Sequence, residues 1–261
     1  MVCQNFGLSR QAYYQGRKRK KICDQEIEII VRKVMKIRGK QPRIGGRKLQ
    51  YKLAEQGIQV GRDRLFDVLR GNGLLVERRR NSPRSNYGGS GPHANLIKNM
   101  DINRPYQVLV SDITYIDTDE GWHYLALVSD LKSRAILGWD LSESLEVSSS
   151  LKALKMALKK CKTMPDIHHS DQGSQYSSKA YLNHLKNNEI WVSMSRKGTP
   201  SENAVAERLN GILKQEFNMG ACFKSKVSAV KAVREAIRTY NKERPHLSLG
   251  YKSPSEVLNA A

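Results

Sequence analysis

Three acidic residues stand in settings where acids can do chemistry: Asp112 in VLVSDITYID, Asp171 in HHSDQGSQYSS and Glu207 in ENAVAERLNGILKQE. Thirty-five residues separate the second from the third. If folding brings the three together, their carboxylates repel one another and raise each other's pKa. A pair of divalent cations about 3.5–4 Å apart removes that cost and equips the site to break a phosphodiester bond. Oxygen donors suit two Mg²⁺ ions, with Mn²⁺ able to substitute, better than softer metals. The catalytic and metal-ligating candidates are therefore Asp112, Asp171 and Glu207.

Each acid has a plainer reading. Asp112 interrupts an apolar strand, where a carboxylate is costly unless compensated; it could be a hydrogen-bonded buried acid. Strand alternation puts it on one face with Val110 and Thr114, and Ser111 and Ile113 on the other. Asp171 closes a short strand just before Gly173, and Asp-Gln-Gly is good turn chemistry. Glu207 lies in a helical run, where most glutamates are solvated. Its company distinguishes it: Asn203, Asn210 and Lys214 lie four before, three after and seven after, on the same helical face. That stripe predicts a polar edge meeting DNA, with Lys214 holding a phosphate or a base. No Ser-His-Asp set and no GxxxxGK[ST] loop competes with this chemistry.

The elements that must position these residues follow from periodicity. Strand-like runs at 107–117, 122–130 and 134–141 are separated by turn residues, which predicts antiparallel hairpins. A helix at 147–161, a strand at 166–170, a helix at 178–188, a strand at 190–193 and helices over 203–217 and 226–243 follow. This order predicts an α/β fold of the RNase H-like kind, a mixed five-stranded sheet flanked by helices.

A small all-α region precedes it. Ser9 caps a short helical piece within 1–21, and Arg17, Lys18, Arg19, Lys20 and Lys21 read either as phosphate-seeking charge or as a solvated linker. Residues 24–38 form an amphipathic helix. Two further helices, around Leu49 and Leu53 and around Leu65 to Leu69, flank a turn at Val60 and Gly61. This is a helix-turn-helix pattern or a plain helical hairpin; in the first case Arg62 and Arg64 reach DNA. Arg78, Arg79 and Arg80 lead into a Ser-, Pro-, Gly- and Asn-rich stretch suited to tracking a DNA backbone. The expected divisions are a helical DNA-binding region at 1–80, a basic linker at 81–101 and a catalytic core at 102–261.

Charge sharpens the partner. The chain of 261 residues carries a net charge of +20. Residues 1–100 hold 23 Lys and Arg against 7 Asp and Glu, while the remainder holds 22 against 18. A polyanion is the expected partner of the first part. The four cysteines form no CxxC pair, which argues against a zinc site and a disulfide framework. No run approaches the ~20 apolar residues of a membrane helix, and no signal peptide is visible. A cytoplasmic, nucleoid-associated protein is expected.

The segments VSDITYI, HSDQGSQYSS, SMSRKGTPSENAVAERLNGILKQE and YNKERPHLSLGYKSPSEVL together resemble the OrfB transposases of the IS-three family of bacterial insertion sequences, whose catalytic core is similar to that of retroviral integrases. The resemblance runs from about residue 40 to the end. It implies a DDE transposase that cuts and joins DNA at insertion-sequence ends, with Asp112, Asp171 and Glu207 as metal ligands and Lys214 on the transposon end. It further implies transposon-end and target DNA as partners, an OrfA product or fusion with it, and a homo-oligomer on DNA. The retroviral N-terminal HHCC module has no counterpart here. Two other readings stay open: a DNA-binding regulator with a catalytically silent core, and an RNase H-like nuclease without strand transfer.

Overall fold

A computed structural model describes residues 9–77, 93–196 and 199–260. The chain divides into two compact units, Met1–Arg78 and Arg79–Ala261.

The first unit is all helical. Helix α1 (Arg10–Lys40) starts at Ser9, whose side chain accepts from the Ala12 N–H. It runs unbroken for 31 residues, which corrects the expectation of two helical pieces with a linker between. The reason is intrinsic: Lys and Arg are good helix formers and a single Gly16 costs only about 1 kcal/mol. Helices α2 (Gly46–Glu55) and α3 (Arg62–Gly71) follow. Ile30, Val34, Ile37, Leu49, Leu53, Leu65, Val68 and Leu69 make the core. Gly46 lets the Phe66 ring lie close, where a Cβ would stand 2.7 Å from it and push it aside. Gly57 and Gly73 take positive φ, and each helix ends with a six-to-one backbone bond, Ile58 to Leu53 and Leu74 to Leu69.

The second unit is built on a five-stranded sheet in the order β3-β2-β1-β4-β5. Strand β1 (Val108–Thr118) pairs antiparallel with β2 (Gly121–Asp130), which pairs antiparallel with β3 (Ile136–Ser142). On its other side β1 runs parallel to β4 (Ile167–Ser170), and β4 runs parallel to β5 (Trp191–Met194). Helix α4 (Val147–Lys160) makes the crossover from β3 to β4, and α5 (Lys179–Lys186) joins β4 to β5. The α4 helix lies so close to β3 that a Cβ on Gly138 would meet the Ala153 carbonyl at 1.9 Å. On the opposite face α6 (Ala204–Glu216) and α7 (Lys226–Glu243) pack over Ile116, Leu125, Leu127 and Leu141. A last helix, α8 (Pro254–Asn259), opens with a Ser253–Glu256 capping box.

The YNKERPH segment ties these layers together. Asn241 exchanges two hydrogen bonds with the backbone of Ile136 on β3, and Tyr240 donates to the Arg134 carbonyl. Arg244 is buried and makes two 2.8 Å bonds to Glu216 at the end of α6.

Candidate active site

The parallel register of β1 and β4 decides where two of the acids go. Val108, Leu109 and Val110 pair with Ile167, His168 and His169. Two further steps along the same register bring Asp112 beside Asp171, where the strands end their pairing. Adjacent strands lie roughly 4.8 Å apart, and equal parity sends both side chains to the α6 face. Helix α6 supplies the third acid from above, with Glu207 in its first turn.

The electrostatics record this convergence. Burial pushes the Asp112 carboxyl up to about 7, and the negative charge of Asp171 pushes in the same direction. The Ile113 N–H, at 2.9 Å, and the Asn210 amide, at 2.7 Å, oppose the rise, while Glu207 adds to it. Asp130 provides the contrast. It is a fully buried strand-end acid, but it takes donors from Tyr106 and Ser133 and serves only to shape a turn. Asp171 is exposed and accepts from the Gly173 N–H at 3.0 Å. Lys214, half-buried one helical turn beyond Asn210, has its pKa lowered by burial and partly restored by Asp112.

The seat of α6 is set by residues that sequence reading left without a role. His169 lies between the Ser193 hydroxyl, 2.8 Å from Nδ1, and the Glu202 carbonyl, 3.1 Å from Nε2. A carbonyl only accepts, so Nε2 carries the proton and Nδ1 accepts from Ser193. This links β4 and β5 to the turn that launches α6. On the other face of β4, His168 Nε2 meets the hydroxyls of Ser111 and Tyr181 at 2.7 and 2.9 Å. Burial holds His168 down to about 3 and His169 down to about 4, so both are neutral. A polar His-His-Ser run inside a buried strand was the signal available in the sequence.

Asn203 and Asn210 are placed differently from the DNA-facing stripe expected. Both are buried against β1: Asn203 donates to the Ser111 carbonyl at 3.2 Å, and Asn210 to Asp112. The Glu207 face of α6 packs on the sheet, so amides at those positions serve the strand. Arg62 and Arg64 lie on the exposed start of α3, as expected, but each has an acidic partner, Asp63 and Glu26. Arg78, Arg79 and Arg80 lie outside the described residues.

Three carboxylates, with the pKa of Asp112 raised first by burial and then by the charge of Asp171, offer the oxygen donors that a hard divalent cation takes. Among the described residues no three His, Cys, Asp or Glu side chains, these three included, stand close enough together to hold one metal ion between them. Mg²⁺ does not need a closed cage, because it keeps several of its own waters and uses one or two carboxylates. Asn210 also leaves its Oδ1 buried without a hydrogen-bond partner beside Asp112.

The sheet order and the crossover helix define an integrase-type core, with Asp112 midway along β1 and Asp171 just past the end of β4. Two family models described as integrase core domain match, over residues 102–200 and 188–254. The simian T-cell lymphotropic virus intasome, solved in complex with PP2A regulatory subunit B56 gamma, shares the fold with a TM-score of 0.52 at 17% identity, over 81% of this chain and 71% of that one. Transposase InsF for insertion sequence IS3A of Escherichia coli (strain K12) is 36% identical over 85% of this chain and 78% of its own. The insertion element IS600 31 kDa protein of Shigella sonnei is also 36% identical, over 97% of this chain and 96% of its own. The chain belongs to the IS3 family of insertion-sequence transposases.

Proposed function

We propose that this transposase cuts and joins DNA at the Asp112, Asp171 and Glu207 site, using divalent metal held by those three side chains. The observation that carries the reading is the placement of Asp112 on β1 beside Asp171 at the end of β4, with Glu207 of α6 near enough to act on the same carboxyl. Bound there, Mg²⁺ or Mn²⁺ would lower the pKa of an attacking water or DNA 3′-hydroxyl and stabilise the leaving 3′ oxygen. A pair of ions suits in-line displacement.

The chain's own residues do the rest. Asn210 fixes the Asp112 carboxylate by donating to Oδ2, which leaves Oδ1 to the Ile113 N–H and to ligands. Asp112 must give up its proton for a cation to bind, so loading is favoured above neutral pH. His169 and Asn203 hold the start of α6 to the sheet, which sets the position of Glu207. Lys214 presents a partly desolvated ammonium next to Asp112, suited to a phosphate of the insertion-sequence end. The first unit, with its two short helices and basic surface, engages DNA as a helix-turn-helix. Family membership supports the remaining partners: transposon ends, target DNA, an OrfA product or fusion, and further copies on DNA.

Labelled ends incubated with target DNA and Mg²⁺ test the reading. Joined products are expected, cut products alone would indicate a nuclease, and bound DNA alone a regulator. Wild-type strand transfer by Glu207→Ala would sink the assignment. Lys214→Ala is expected to weaken crosslinking to the transposon end.

A further inference from the structure

The charges of this chain are segregated in a way its DNA chemistry does not use. Residues 105–131 and 135–151, which form β1, β2, β3 and the approach to α4, contain no Lys or Arg. Besides Asp112 of the active site they contain Asp117, Asp119, Glu120, Asp130, Asp140, Glu143 and Glu146. Helix α4 covers the Gly138 end of one sheet face, and among the described residues the other end stays exposed at Tyr115 and Trp122. By register, Tyr115 stands opposite Tyr124, Asp117 opposite Trp122, and Asp140 opposite Ala126, all on that open face. Tyr115 and Trp122 are 50% and 61% exposed. Their rings, with that of Tyr124, form an edge-to-face cluster with centroids 5.3 and 6.3 Å apart. Lys226 of α7 reaches this region, where it pairs with Glu143 and its backbone N–H meets Glu120. Aromatic faces bordered by carboxylates repel phosphate and attract guanidinium and ammonium groups.

A matching surface lies at the start of the chain. Residues 1–23 contain no Asp or Glu, and Arg17, Lys18, Arg19, Lys20 and Lys21 follow one another. Residues 11–26 of α1 are exposed throughout, because the unit's core begins only at Ile30. This bare helical stretch is roughly 24 Å long and shows Tyr13, Tyr14 and Ile22 as well as its cations.

We infer that the open aromatic-acidic face of Tyr115, Asp117, Trp122, Tyr124 and Asp140 docks the basic half of α1 from a second copy of this chain. The cations of residues 17–21 lie over the rings and between the carboxylates, and Tyr13 and Tyr14 extend the apolar contact. Each copy carries both halves, so a single kind of chain supplies both sides of the contact.

Sedimentation of the full chain without DNA, at low and at high salt, tests this. A dimer is expected that dissociates as salt rises. Tyr115→Ala with Trp122→Ala is expected to weaken self-association at least tenfold, and so is reversal of Arg17, Lys18 and Arg19 to Glu. Both sets are exposed, and unchanged thermal unfolding would show that each variant is folded. Adding Asp117→Lys and Asp140→Lys to the reversed helix is expected to restore association. A wild-type chain that stays monomeric at low salt overturns the inference. So do face variants that leave association unchanged, face variants that weaken only DNA retention, and a charge swap that restores nothing.

Discussion

The two units of this protein carry ionisable groups in different ways. In the first, Arg32–Glu28, Arg62–Asp63, Arg64–Glu26 and Arg70–Asp67 are solvent-exposed pairs over an apolar core. In the second, Arg244–Glu216 is buried, with side chains 3% and 15% exposed, and Asp112, His168 and His169 sit among apolar strands. All six histidines and all three tryptophans lie in the second unit. The second unit has exposed pairs as well, Arg104–Asp166 and Arg238–Glu235 among them, but it adds buried charge that desolvation turns either to chemistry or to holding an element in position.

The largest effect that would break this contrast is on activity. Asp112→Asn is expected to lower strand transfer by more than about 10³-fold, whereas Arg64→Ala should leave the chemical step on pre-bound ends unchanged. Comparable losses in both would mean that the half-buried acid is not special.

Next comes the buried ion pair. Arg244→Ala is expected to cost about 3–5 kcal/mol, because Glu216 is left charged and without its guanidinium. Urea unfolding followed by tryptophan fluorescence reads the second unit alone.

The third effect is on pH. Native His168 and His169 stay neutral far below the ordinary imidazole pKa of 6.5. Between pH 6.5 and about 4 the unfolded chain therefore binds protons that the native one refuses. Their contribution is present above 6.5 and lost as pH falls, by a few kcal/mol each at most. Asp112 acts with the opposite sign: its native pKa of about 7 makes the metal-free fold lose stability as pH rises from about 4 to 7. The acid-side fall, followed by the tryptophans of the second unit, should accordingly steepen in Asp112→Asn.

The smallest expected effect is that of Arg64→Ala on stability. The pair with Glu26 is half-exposed, and such pairs contribute less than about 1 kcal/mol. A loss matching that of Arg244→Ala would erase the distinction between the units.

Much of the fold was legible because each strand and helix of the second unit keeps its own period between clear turn residues. The long α1 was not, since residues 17–21 offer no apolar periodicity and helix propensity alone had to carry them. Helix α8 was overlooked although Ser253, Pro254 and Glu256 spell a capped start. Asn203 and Asn210 show the limit of periodicity for the site. Spacing placed them on the Glu207 face, but only the packing of α6 on β1 reveals that this face meets a strand. The buried work of His169 was hidden for the same reason, because its partners Ser193 and Glu202 come from later segments that only the β4–β5 pairing brings near.

The 59-residue offset between β1 and β4 has an evolutionary consequence. The crossover through α4 can lengthen or shorten without moving Asp112 relative to Asp171, since both are counted from where the strands meet. Deleting one residue between Val108 and Asp112 would turn that carboxylate to the His168 side of the sheet and leave the other two acids in place. Natural variation in length should therefore accumulate after Ser142 and before Ile167, while the four-residue steps from Val108 to Asp112 and from Ile167 to Asp171 stay fixed.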